Sequence, residues 1–90
     1  MKLTTYYCHA ITKDSGTCHL LKAIYNPATQ VADIFRVTSN EDYILASLNA
    51  EGGLGQMSLF DFCLDLIEEE LGVSKIMKAS LSEEKSYLIQ

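Results

Sequence analysis

The amino-acid sequence predicts an α+β domain. It reads as an antiparallel β-meander of three N-terminal strands, then two helices, then a C-terminal strand or hairpin, with the helices packed on one face of the sheet. Three observations lead there. Residues 3–37 are rich in β-branched and aromatic types and are broken by two turn signals. Residues 39–71 hold two cap-like patterns, each followed by apolar residues at helical spacing. Beyond Gly72 the chain turns strand-like again. Ninety residues give room for one domain, residues 1–90.

The first strand is residues 3–12, where Thr, Tyr and Ile dominate. Lys13-Asp14-Ser15-Gly16 is a turn, because Asp and Ser bond their own backbone and Gly accepts positive φ. Residues 17–25 form the second strand, and Asn26-Pro27-Ala28-Thr29 a second turn with proline pre-set for its first central position. Residues 30–37 alternate: Val31, Asp33, Phe35 and Val37 on one side, Ala32, Ile34 and Arg36 on the other. Ser39 with Asp42 resembles a capping box and predicts a helix over 40–50, with Ile44, Leu45 and Leu48 inward and Gly52-Gly53 as its stop. Ser58 with Asp61 repeats the signal for a second helix over 59–71, with Gly72 as its C-cap. Residues 73–79 read as a fourth strand. Ser82-Glu83-Glu84 then turns the chain into a last strand at Tyr87–Gln90, or starts a short helix.

The second helix is unusually apolar. Leu59, Phe60, Phe62, Cys63, Leu64, Leu66, Ile67 and Leu71 span an arc of about 200° at helical geometry. One core contact needs roughly half of that. The sheet and the first helix would cover the two sides, or a second copy would cover one of them. A homodimer is expected on this ground.

Charge is distributed unevenly. The net charge is −5, yet residues 1–40 sum to +2, residues 41–72 to −8 and residues 73–90 to +1. An acidic chain is a poor match for nucleic acid or an anionic membrane, both of which attract basic surfaces. Asp61, Asp65, Glu68 and Glu69 share the polar side of the second helix, and no lysine or arginine lies within residues 41–72. These four carboxylates are the candidate partner-binding residues, facing a basic surface of a protein partner.

Candidate chemistry is sparse. Cys8-His9 and Cys18-His19 repeat a dipeptide and together supply the ligand types of a zinc site. Adjacent strand residues point to opposite faces. A four-residue turn at 13–16 sets Ile11 opposite Cys18 and His9 opposite Leu20. His9 and Cys18 are then diagonal neighbours on one face, and Cys8 and His19 on the other. The result is two half-sites, so Cys8, Cys18 and Cys63 are expected to be reduced and metal-free. A cysteine nucleophile would need an oxyanion donor and an orienting group, and the sequence offers neither. Gly53-Leu54-Gly55-Gln56-Met57-Ser58 is a partial dinucleotide fingerprint, but it follows a predicted helix instead of a strand. No catalytic, cofactor or metal residues are therefore assigned.

The odd number of cysteines and the lack of a long apolar run near Met1 suggest the cytosol. The sequence thus points to a small acidic protein-interaction module: a regulator, adaptor or inhibitor without catalysis of its own. Its size and charge are those of inhibitors encoded by phages and mobile elements. The alternative is a small-molecule or metal sensing domain built on His9 and Cys18 or on the glycine loop at 52–55.

Overall fold

The computed structural model describes residues 3–12, 17–70, 72 and 76–84. Five strands and one helix follow in the order β1 (Thr4–Thr12), β2 (Cys18–Asn26), β3 (Val31–Arg36), β4 (Tyr43–Asn49), α1 (Gln56–Glu70) and β5 (Ile76–Glu84). The sheet order is β4-β3-β2-β1-β5, and every neighbouring pair is antiparallel. This is a small mostly-β fold.

The N-terminal meander forms as its sequence dictates. Asn26 closes the second turn, where its Oδ1 accepts the Ala28 N–H at 2.9 Å and its carbonyl accepts the Gln30 N–H at 2.8 Å. Gln30 takes the left-handed backbone, φ 57°, that returns the chain to β3. Alternation then sorts the side chains. Tyr6, Cys8 and Ala10 of β1, Leu21 and Ala23 of β2, and Ala32 and Ile34 of β3 are buried on one face. Leu59, Cys63, Leu66 and Ile67 of α1 complete the core over them. Alanines at positions 10, 23 and 32, bare of bulk, let the helix come close to the sheet.

Two elements depart from the sequence expectation. Residues 43–49 are an edge strand, not a helix, so among the described residues there is one helix and not two. Ile44, Leu45 and Leu48 do have helical spacing, but Ala46 and Leu48 also alternate with Ser47 and Asn49, and seven residues are too few for either period to prevail. The free edge of β3 decides, since it offers a ladder from Val31↔Asn49 to Arg36↔Tyr43, broken only by a bulge at Leu45. The apparent cap at Ser39 and Asp42 belongs to a turn, in which Thr38 Oγ1 bonds the Glu41 carbonyl and accepts the Glu41 N–H.

The C-terminal part differs as well. Ser82-Glu83-Glu84 continues β5 against β1, pairing with Tyr7, Tyr6 and Thr5. It makes no turn. The proposed last strand at 87–90 and the strand start at 73–75 lie outside the described residues. The chain leaves β4 by way of Gly52 and Gly53, both at positive φ (86° and 115°), and runs through α1 to β5 at the opposite edge, beside β1. α1 begins three residues earlier than Ser58 and Asp61 suggest, with the Gly55 carbonyl accepting the Leu59 N–H at 3.0 Å. Gly72 has φ 66°, the left-handed conformation of a residue just beyond a helix end.

Candidate functional site

The single helix covers one side of the sheet, and this leaves two unlike surfaces. The first is the outer side of α1. Asp61, Asp65, Glu68 and Glu69 are all exposed there. Among the described residues none of the four takes part in an ion pair. Lys78 does not reach them, because it stands opposite Ile11 on the far face of the sheet. Lys75 and Lys85 lie outside the described residues. Elsewhere the middle third of the chain is not wholly unbalanced. Asp42 meets Lys22 at 2.5 Å, a contact across twenty residues that no local pattern announces. That carboxylate raises the Lys22 pKa, and the ammonium also lies 5.6 Å from the Phe35 ring centroid. Both partners are partly exposed, so the pair contributes about 0–1 kcal/mol.

The second surface is the open face of the sheet. Tyr7, Ile11, Leu20, Ile24 and Phe35 lie here half-buried beside Lys22 and Asp33, and among the described residues no helix covers this face. The register has Ile11 opposite Cys18 and His9 opposite Leu20. His9 and Cys18, both exposed, therefore come together as diagonal neighbours, and Cys18 Sγ contacts His9 Nε2. Of the two sequence-derived half-sites, this is the one whose side chains pair with each other among the described residues. Within the described residues of one chain no third His, Cys, Asp or Glu joins it.

The other half-site has the same diagonal placement in the register, with Cys8 opposite Leu21 and His19 opposite Ala10. Cys8 and His19 are both buried on the covered face, but each has another partner. Cys8 shares a side-chain hydrogen bond with Cys63 of α1. That bond and burial push the Cys63 thiol far above its ordinary range, so it stays protonated. His19 Nδ1 lies 3.2 Å from the Arg36 guanidinium. A guanidinium has donors only, so Nδ1 accepts and His19 is the neutral Nε2–H tautomer.

Burial first, and the Arg36 charge second, hold the His19 pKa below the usual 6.5. The unfolded chain then binds a proton that the folded chain refuses. Stability from neutral His19 is complete above the unfolded value of 6.5 and declines as pH falls through it toward the lower folded value. The urea midpoint of the wild type should drop between about pH 7.5 and about pH 5.5. His19→Gln, which keeps an acceptor for Arg36, should show a smaller drop. Equal drops in both proteins would assign the pH dependence to other groups.

The glycine stretch makes no nucleotide cradle. It does follow a strand, β4, and precede a helix, but β5 then joins the opposite edge of the sheet with three strands between it and β4, so no adjacent parallel pair forms the βαβ unit of a dinucleotide site. Among the described residues no helix is long and apolar enough to cross a membrane. Geometry thus defines a small mostly-β protein with an acidic helical face and an open sheet face of mixed apolar and polar residues that carries a Cys–His pair. Set against protein-family models, curated proteins and solved structures, the chain matches none of them.

Proposed function

We propose that this protein is an interaction module without catalysis of its own, a regulator, adaptor or inhibitor that docks the outer face of α1 on a basic surface of a partner protein. The observation that carries this reading is the exposure of four carboxylates of one sign, Asp61, Asp65, Glu68 and Glu69, on one helix with no ion pair among the described residues. Helix stability argues against such an arrangement. Asp61–Asp65 and Asp65–Glu69 are like-charge i,i+4 pairs, each costing about 0.2–0.5 kcal/mol, where a Glu–Lys pair would have gained as much. Long-range attraction of a cationic partner is what a one-sign face supplies. A cytosolic setting suits the free thiols Cys8, Cys18 and Cys63. Nucleic acid and anionic membrane remain poor partners for this surface.

The test uses the triple variant Asp61→Lys, Asp65→Lys, Glu68→Lys. All three positions are exposed, so the circular dichroism spectrum should be unchanged. A partner captured by the tagged wild type at low salt is then measured against both proteins by stopped flow. Association with the variant should be slower by roughly tenfold or more, and the wild-type rate should fall steeply with ionic strength. Equal association rates with wild type and variant would refute the reading.

A further inference from the structure

The Cys18–His9 pair presents a soft sulfur and an imidazole Nε2 toward each other on an exposed surface. These are the two atoms through which a cysteine and a histidine bind zinc. The pair is preformed by the β1–β2 register, so no backbone movement is needed to create it. Opening a gap for a metal takes only side-chain rotation, since both residues are exposed. One chain falls short in a specific way. Structural zinc takes four protein ligands in a tetrahedron, and the described residues of one chain give two here.

We propose that a zinc ion bridges two copies of this chain, bound by His9 and Cys18 of each. A two-fold axis through the metal makes two half-sites into a Cys₂His₂ set. The surroundings favour a second copy as the source of the missing ligands. Ile11 and Leu20 flank the pair, each standing opposite one of its members in the register, and Ile24 and Phe35 lie beyond them on the same face, with Lys22 between Leu20 and Ile24 along β2 and Lys78 opposite Ile11. Two sheets packed face to face stand about 10 Å apart, so a metal midway lies about 5 Å from each sheet. That is within reach of a cysteine and a histidine side chain, at bond lengths of about 2.3 Å to sulfur and about 2.0–2.1 Å to nitrogen. Each zinc displaces two thiol protons to solvent, one per chain, and no electron is transferred. The finished site is electrically neutral, as a divalent cation with two thiolates, so it can be enclosed between the two faces. The expectation of metal-free cysteines assumed that one chain must supply every ligand, and the symmetric pair removes that requirement.

Zinc chloride is titrated into the reduced, chelator-treated full chain, with mass followed by light scattering. The mass should double from 10.0 kDa, with a break at one zinc per two chains. Cobalt(II) in place of zinc should give the visible absorption of a tetrahedral site together with thiolate-to-cobalt charge transfer. Cys18→Ser and His9→Gln, both exposed and not expected to disturb the fold, should each abolish the doubling, whereas Cys63→Ala should retain it if it remains folded by circular dichroism. A mass that stays at one chain, a stoichiometry of one zinc per chain, or doubling that survives Cys18→Ser would overturn the proposal. None of these outcomes depends on the acidic helix, so the docking reading above stands or falls separately.

Discussion

Leu21→Ala should cost about 2–5 kcal/mol, a large part of the roughly 5–15 kcal/mol available to a domain of this size. Leu21 is fully buried at the centre of β2, with β1 on one side and β3 on the other, and α1 lies above it. Truncation leaves a cavity that the surrounding ladder cannot close, because hydrogen bonds on both edges fix the strand. The comparison that gives this number meaning is Ile24→Ala. Ile24 is on the same strand but faces the open side and is only half-buried. Its truncation removes less contact and creates no closed cavity, so it should cost less than half as much. Urea unfolding with chelator present, to keep the chain free of zinc, measures both. Similar costs at the two positions would show that the open face is covered.

Ala10→Leu should also destabilise strongly, by about 1–3 kcal/mol, for the opposite reason. Ala10 is fully buried, with Ala79 of β5 opposite it on one side and His19 of β2 on the other. Three added carbons would occupy the space through which α1 approaches the sheet. Either the helix lifts, uncovering Leu59, Cys63 and Ile67, or the new side chain adopts a strained rotamer. The midpoint of thermal unfolding should fall by about 4–8 °C for each kcal/mol lost. A midpoint equal to wild type would mean that the helix–sheet seam has spare room at this position.

These two variants mark where the sequence was readable and where it was not. The β1–β2 hairpin was readable because its determinants are local. A short turn signal between two β-rich segments fixes the register, and register alone places His9 beside Cys18. The exposed side of α1 was readable because helical spacing groups Asp61, Asp65, Glu68 and Glu69 whatever lies beneath them. The Cys8–Cys63 contact left no signal in the sequence. It joins the middle of β1 to the middle of α1, and only the position of the helix over the sheet creates it. The same is true of Lys22–Asp42 and of Arg36–His19, each formed by strands that are remote in sequence.

The sequence by itself determined the three-stranded meander, the two alternating sets of side chains on β3, the long amphipathic helix and the acidic side of that helix. These follow from side-chain periodicity and turn chemistry, which act over a few residues. Tertiary structure decided the fates of residues 43–49 and 82–84. The first segment carries both helical and strand spacing, and its backbone groups go to the free edge of β3. The second is polar enough to read as a turn, but an edge strand needs only one hydrogen-bonded neighbour and tolerates charge on its exposed side. Glu83 and Glu84 thus lie exposed on β5 while their backbones pair with Tyr6 and Thr5 of β1. In both places the local preference is weak, and a neighbouring strand with unpaired backbone groups outweighs it.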